Sequence, residues 1–526
     1  MSMGAVDEEK RDHAIPQVVE QPKSVEEEAG LDRGVRKDVE KGEESVDILK
    51  AGNGVDGDEL ELVTWDGDDD PKDPYNWPSH RKLIMAAIIS LGGLVLTMSA
   101  SMMAPALPQI GRDLGTKSSE TQLTMSVYFL ALAFGPMIIA PFSEMYGRKK
   151  VWIVCSLWYI LFNALCPVGN SKGLMIAGRL LSGFGACVGM ALSGPTMADI
   201  YRAKDRGRSL AIAQFAPFLG AAIGPILGSY ISASIGWPWI FWTVSCFDAF
   251  LVVLSIFLIH ESYAPVLLAC KAAAMRKATG LNYETAFERQ HPTLKAKFKV
   301  SMLRPLKLLA TRPVIHVVSV LTAYNFGVYI LVLSSFATVW TGKYNYSVSS
   351  SGLHYISITL GSITASQVGG RLTDKIWARL KAKAGGATRP EYRVPLMFPS
   401  ALMMPIGLIW FGWAAEHHVF WLFTDIGAGV FSCGIMLSSQ SLLAYLIDEF
   451  GKVAASANAA ARILSNIMGF AFPLFAPQLF AALGYGWGNT LLAFVYMAMG
   501  IPAPLLLWKW GHKLRAIHWE LGSKAV

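Results

Sequence analysis

Apolar positions along this chain gather into long runs, and polar positions gather into the short gaps between them. Twelve runs can be placed, at about 83–106, 122–142, 151–168, 173–199, 209–233, 237–259, 314–340, 350–370, 394–415, 419–447, 454–480 and 488–510. Most are near the ~20 residues an α-helix needs to cross a bilayer. The run at 419–447 is long enough to tilt or to extend past the membrane. The pattern predicts an all-α polytopic membrane protein with twelve transmembrane helices in two six-helix bundles. The longest gap separates six runs from six, giving bundles at 83–259 and 314–510, a linker at 260–313 and a short tail at 511–526. Residues 1–82 form a tail of a different kind: up to residue 80 no apolar periodicity is present, and a segment rich in Glu, Asp, Lys, Gly and Pro buries too little surface to order itself. No apolar core followed by a cleavage site is found there, so no removable signal peptide is expected.

Composition agrees with the pattern, since 53% of the 526 residues are hydrophobic and 16% charged, against about 25% charged in ordinary soluble domains. Charge adds a direction. Residues 1–80 hold 23 acids and 9 bases, a net of −14, whereas the rest holds 16 acids and 37 bases, a net of +21. A body this basic suggests nucleic acid first, but its bases lie in gaps between apolar runs, which assigns them to membrane topology and excludes a nucleic-acid partner. The even-numbered gaps carry 25 Lys and Arg and the odd-numbered ones 4. Positive charge stays inside, so both termini are expected in the cytoplasm. Tyr75, Trp77, Arg81 and Lys82, just ahead of the first run, suit the headgroup layer on that side. The linker carries ten cations against Glu261, Glu284 and Glu288, and stretches such as Lys295-Ala-Lys-Phe-Lys299 suit an anionic lipid surface. One sequon, Asn345-Tyr-Ser347, falls in an outer gap as a possible glycan acceptor. The six cysteines lie in or beside apolar runs without C-x-x-C spacing, so neither disulfides nor a metal site are expected, and no cofactor is implied.

The gap after the second run reads Ala140-Pro-Phe-Ser-Glu144-Met-Tyr-Gly147-Arg148-Lys149-Lys150, a tight turn with three cations and one acid. An echo follows the eighth run as Gly370-Arg-Leu-Thr-Asp374-Lys375. In both, a small residue stands one helical turn before a carboxylate. That spacing is expected to let a neighbouring helix come close where the acid reaches the membrane edge. Two such joints, one per half, are what a two-halved transporter needs.

Three further features carry chemistry. In the fourth run Arg179 stands among apolar residues, followed by Gly183 and Gly185; burying it costs about 2.5–3.5 kcal/mol on insertion scales. Either it is a fixed cation that tunes a protonatable neighbour, or it snorkels, being about 9 Å from the outer end at the helical rise. In the fifth run Gly220, Gly224 and Gly228 form one stripe for close helix contact, with Pro225, and Pro217 eight residues earlier, each sparing a carbonyl and allowing a bend. Acids within runs are few. Asp248 lies near the midplane of the sixth, Asp425 less deep in the tenth, and Arg462 is a second cation, in the eleventh. Asp248 and Asp425 are proton-coupling candidates or simply hydrogen-bonded carboxyls, while Asp199, closing the fourth run, is expected to pair with Arg202 and the bases after it. Tyr128, Gln214, Tyr324, Asn325, Tyr329 and Gln440 are candidates for lining a central, mostly apolar cavity. Nucleophile–base pairs near a loop are not visible, so an enzyme is not expected.

The two loop strings resemble the major facilitator signature G-x-x-x-D-x-x-G-R-[RK], with Ala140 for its first Gly and Glu144 for its Asp. Arg179-Leu-Leu-Ser-Gly183-Phe-Gly185 resembles R-x-x-x-G-x-G of the same superfamily, and Gly220 to Gly228 resembles its antiporter element, with Ser229 in place of the usual last Gly. Asn76-Trp-Pro78, Gly236-Trp-Pro-Trp-Ile-Phe-Trp242, Glu261-Ser-Tyr-Ala-Pro265, Phe472-Pro-Leu-Phe-Ala-Pro477 and Leu483-Gly-Tyr-Gly-Trp487 resemble the fungal twelve-span drug:proton antiporters. The resemblance spans 76–515. It implies two rocking halves around a midplane site, protons and a small organic molecule as partners alongside membrane lipid, a monomer, and export across the plasma membrane or, alternatively, the vacuolar membrane. Members of the group export drugs, polyamines, organic acids and toxins. An importer or facilitator of a nutrient has the same fold, and a membrane sensor using the acidic tail as its output arm remains a further alternative. No acid stands inside the first run or at mid-depth in the fourth, where some drug antiporters keep one, which leaves Asp248 as a substitute candidate.

Overall fold

A computed structural model describes residues 61–202, 205–289, 294–451 and 454–516. Everything below concerns the unit Leu62–Val526; of the other unit, Met1–Glu61, only Glu61 is described, so residues 1–60 of the expected disordered tail 1–82 lie outside the described residues.

Helices dominate. In the first half α1 covers Ser79–Ser101, α2 Ser118–Tyr146, α3 Arg148–Leu165, α4 Lys172–Ile200, α5 Arg206–Ser234 and α6 Pro238–Leu258. The linker holds α7, Ala264–Thr279, and α8, Leu294–Thr311. Then come α9 (Pro313–Thr338), α10 (Val348–Leu353), α11 (Tyr355–Thr364), α12 (Gly370–Lys383), α13 (Met397–Glu416), α14 (Trp421–Phe450), α15 (Ala454–Gly500) and α16 (Pro502–Ala516). Among the described residues, nine stretches are long and apolar enough to cross a membrane. The difference from the twelve expected runs has physical causes. Helix α3 opens on three consecutive cations within only 18 residues. The eighth run is split into α10, α11 and a π-helical turn at Ala365–Gly369. The last two runs are joined in α15, which turns sharply at Gly484 with φ of 69°, a left-handed conformation that costs glycine least.

Packing repeats itself along the chain. In the first half α1 lies against α5, α2 against α4 and α3 against α6; in the second α9 lies against α15, α11 against α14, and α13 against the part of α15 beyond Gly484. The halves meet where α2 lies on α15 and where α5 lies on α10 and α11. Phe129 and Phe326 stack edge to face across the first seam at 5.6 Å. At the second, the Thr359 hydroxyl donates to the Ala222 carbonyl at 3.3 Å.

The glycine stripe is used within the first half. A Cβ on Gly220 would collide with Thr97 of α1, one on Gly224 with Ser101, and one on Gly228 with the Met102 carbonyl. Helices this close leave room at these positions for nothing larger than the hydrogen of a glycine. Ser90 of α1 is inserted into the hydrogen-bond ladder of α5: its hydroxyl accepts from the Ala216 amide at 3.1 Å and donates to the Ile212 carbonyl at 2.9 Å. The insertion lies beside Pro217, where the ladder is already open, and the Thr97 hydroxyl of α1 also reaches α5, donating to the Pro217 carbonyl at 2.8 Å.

Two expectations about the flanks change. Trp77 is buried, with the Arg81 guanidinium 4.0 Å over its ring, and so belongs to the protein interior rather than to the headgroup layer. Asn76 accepts from Arg202 at 3.2 Å and the Tyr75 hydroxyl donates to the Ala198 carbonyl, so residues 75 and 76, which composition grouped with the tail, are held against the end of α4. In the linker, α8 packs on both α2 and α15, with Phe298 edge-on to Phe142 at 5.2 Å. Its exposed Met302, Leu303 and Leu306 lie beside exposed Lys299, Arg304 and Lys307, an apolar and cationic mixture suited to a lipid surface.

Candidate functional site

A cavity of about 330 Å3 lies between the halves, walled by α5 on one side and by α9, α11, α14 and α15 on the other. From α5 it takes Phe218, Ala221, Ala222 and Pro225, the face next to the glycine stripe. The stripe thus sets the depth of α5 against α1, and Pro225 presents its ring to the cavity. From the second half come Phe326, Tyr329 and Tyr355 as apolar surface, and Ser362, Ser432 and Gln440 as polar points. Arg462 completes the lining as the only charged residue among the described ones.

Of the six residues expected at such a cavity, Tyr329 and Gln440 line it. Gln214 is exposed one helical turn below Phe218 on the same face of α5. The other three are in the packing. Tyr128 is fully buried and donates to the Leu96 carbonyl at 3.1 Å. Tyr324 donates to the Leu492 carbonyl at 2.7 Å, and Asn325 to the Ser438 hydroxyl at 3.1 Å. Each is polar and aligned with the cavity period, but a buried hydroxyl or amide is held wherever a free backbone acceptor lies.

Arg179 does not snorkel. It is 1% exposed, and its two terminal nitrogens donate to the hydroxyl and the carbonyl of Ser99 on α1, both at 3.0 Å. Tyr128 lies 4.2 Å beneath its guanidinium, a cation–π contact. Gly183, one turn further on, brings α4 onto the Tyr128 carbonyl of α2, and Gly185 brings it onto the backbone of Cys155 and Tyr159 in α3. Asp248 on α6 is 4% exposed, within electrostatic range of Tyr128 and Tyr159, with no hydrogen-bond or ion-pair partner among the described residues. The cluster lies within the first half, and none of these residues lines the cavity.

Asp425 in the second half accepts from, or shares a proton with, His354 Nδ1 at 2.8 Å, both side chains nearly buried. The imidazole stacks on Trp340 with ring centroids 3.6 Å apart and touches Tyr346 and Trp421. His354 escaped sequence reading because it sits at the mouth of a broken helix, 71 positions from its partner.

The first charged joint is built differently from expectation. Arg148, 8% exposed, donates to Asp199 at 3.0 Å and to the Ser143 hydroxyl at 2.6 Å, with the Tyr263 ring 4.5 Å away. Asp199 therefore pairs with Arg148 and not with Arg202, which has turned towards Asn76. Gly147 adopts φ of 95° and has the Glu261 carboxylate where a Cβ would stand. That carboxylate, noted in the sequence as a linker acid and as the head of Glu261-Ser-Tyr-Ala-Pro265 but given no partner there, accepts from the amides of Arg148 (2.9 Å), Lys149 (3.2 Å), Ser262 and Tyr263. It satisfies free donors at the start of α3 and meets the positive end of that helix. Glu144 belongs to the same electrostatic group, facing Tyr263 and Asp199.

The second joint corrects the sequence reading. Helix α12 runs through Gly370 and Asp374 without a turn, and a Cβ on Gly370 would meet nothing within 4 Å. The close approach is at Gly369, against Leu437. Asp374 pairs with Arg393 at 2.9 Å, which also holds Asp448 at 2.7 Å; Arg515 holds Glu391 at 2.7 Å and Glu449 at 3.2 Å. Asn345, exposed with φ of 54°, precedes Ser347, whose hydroxyl caps α10 by accepting from Ser350.

Arg148→Ala is expected to leave Asp199, largely buried, without its cation, at a cost of about 3 kcal/mol in stability. Thermal unfolding in detergent measures it, and Arg148→Lys should recover only part, because a single ammonium does not reproduce the forked contacts. An unfolding midpoint equal to wild type would show that the pair carries no weight.

The Major Facilitator Superfamily profile matches residues 89–473. The probable efflux pump mfs2 of Aspergillus flavus is 41% identical over 417 residues, covering 79% of this chain and 98% of its own. An uncharacterised transporter of Schizosaccharomyces pombe is 38% identical, covering 87% and 93%, and the efflux pump vrtL of Penicillium aethiopicum 34% identical, covering 87% and 90%. The xylose transporter XylE from E. coli, in a partially occluded inward-open conformation, superposes with a TM-score of 0.58 at 17% identity over 82% of this chain and 98% of that one, a likeness of fold. With its repeated halves, its interfacial cavity and this profile match, the chain belongs to the major facilitator superfamily and is an integral-membrane secondary transporter of the fungal efflux-pump type.

Proposed function

We propose that this protein is a proton-driven antiporter that exports a small amphiphilic organic molecule from the cytoplasm across the plasma membrane. The observation that carries the reading is the cavity at the seam, walled on one side by the Pro225 face of α5 and on the other by four helices of the second half. Closure of either end of a site so placed needs only the halves to rock. The names of relatives as efflux pumps support the outward direction. In this reading the chain crosses the membrane twelve times: α3, the α10–α11 pair and the two limbs of α15 complete the nine long apolar stretches. Both termini are then cytoplasmic, with the Arg148 and Arg393 clusters bracing the inner ends of the helices. Arg179 serves as the fixed cation and Asp248 as the proton carrier of the first half, with Asp425, held by His354, the corresponding carboxyl of the second. Inward proton flow supplies about 2.3 kcal/mol per charge per 100 mV, enough for concentration of a neutral cargo well over tenfold.

Inside-out vesicles carrying the full chain test this. With the lumen acidified, a panel of radiolabelled hydrophobic drugs and organic acids should include compounds that accumulate, and adding those compounds unlabelled should alkalinise the lumen. Uptake indifferent to the pH gradient, or loss of compound from the lumen on acidification, overturns the antiport reading.

A further inference from the structure

Among the described residues the cavity carries one charge, and it is unanswered. Arg462 lines it with an exposed side chain and has no hydrogen-bond or ion-pair partner among the described residues. The other lining residues are apolar or neutral, and none is acidic. The remaining intramembrane charges are engaged or lie elsewhere: Arg179 is spent on Ser99, Asp425 is held by His354, and Asp248 lies in the cluster behind α4. A guanidinium left without a counter-charge in apolar surroundings is costly. That cost is relieved when an anion docks, and a fork of N–H donors fits a planar carboxylate or a sulfonate at two points.

We propose that the cavity is a binding site for organic anions with a flat apolar body, and that Arg462 is their counter-ion. The charge fixes one end of the ligand. Phe326, Tyr329 and Tyr355 supply apolar wall for the body. Ser439 and Asn458 add neutral polar groups to the same lining. Aromatic carboxylic acids bearing a further polar group carry this combination of groups. Polyamines and other organic cations are refused, since they would place like charge against Arg462 with no carboxylate in the lining to receive them. The inference rests on the transporter reading for the identity of the cavity, but not on the direction or energy source of transport. Export of an anion is additionally favoured by an inside-negative membrane potential.

Equilibrium binding to the full-length protein in zwitterionic nanodiscs, without any gradient, separates the two questions. Two fluorescent probes of one shape and opposite charge are compared, 2-anthracenecarboxylate and 2-anthracenylmethylammonium, after subtraction of partitioning into empty nanodiscs. Wild-type protein is expected to hold the carboxylate at least about tenfold more tightly than the ammonium. Arg462→Gln should abolish that preference and Arg462→Lys should retain its sign. Equal affinity for both probes, preference for the ammonium, or retention of neither by the wild-type protein overturns the proposal, without need of a folded variant. A preference undiminished in Arg462→Gln removes Arg462 from it. Selective binding with no pH-driven uptake in vesicles would instead overturn the antiport reading and leave this one standing.

Discussion

Asp248→Asn is expected to abolish proton-driven accumulation in inside-out vesicles, to below about a tenth of wild type, while exchange of labelled for unlabelled cargo without a gradient continues. The argument begins with position. Asp248 is the eleventh residue of α6, on the order of 15 Å from the start of the helix at 1.5 Å per residue. It is 4% exposed and unpartnered among the described residues. A carboxyl so enclosed changes its charge only when a path to one side of the membrane opens. Asparagine keeps its shape and hydrogen-bonding capacity and loses the proton. Because Asp248 lines no part of the cargo cavity, the substitution should separate coupling from cargo exchange, with binding affinity close to wild type. Arg179→Ala should have the same effect on coupling and an added loss of stability, since Ser99 and Tyr128 lose the group they are packed around. Gradient-driven uptake by Asp248→Asn at the wild-type rate would exclude it as the proton carrier.

The largest structural effect is expected at Gly228. A Cβ there would lie on the Met102 carbonyl, which belongs to the backbone and cannot rotate away. Gly228→Val therefore forces α1 and α5 apart along the stripe, and overpacking of this kind costs about 3 kcal/mol or more. Displacement of α5 would also shift Pro225 in the cavity wall. Two readouts check it: a fall of several degrees in the unfolding midpoint in detergent, and a weakened cargo affinity in whatever protein folds. Gly194 serves as the control, because a Cβ there meets nothing within 4 Å, and Gly194→Ala should be silent in both. Midpoints for Gly228→Val and Gly194→Ala that agree within a degree would show that the stripe is not tightly closed.

Much of this architecture is written in hydrophobic periodicity. The long runs, the basic gaps and the Gly220–Gly224–Gly228 stripe each follow from a local period, and local periods survive folding. Partner choice does not. Asp199 was assigned to the bases that follow it, yet Arg148, 51 positions away, reaches it because α4 ends at Ile200 and the chain leaves in another direction. The same holds for His354 with Asp425 and for Glu261 at the head of α3, where the informative separation is between helices. Gly370 misled for a subtler reason. A π-helical turn at Ala365–Gly369 shifts the helical phase, moving the close contact back by one residue to Gly369. Tyr128, Tyr324 and Asn325 fitted a cavity lining by type and period alone, while their actual partners are carbonyls and a hydroxyl on other helices.

The hydroxyl of Ser90 that threads α5 has a consequence for watching the protein move. The Ala216 amide depends for its protection on an atom of a different helix. Its deuterium uptake therefore reports each separation of α1 from α5, at a backbone site needing no label, and rises only in those states in which the first half breathes.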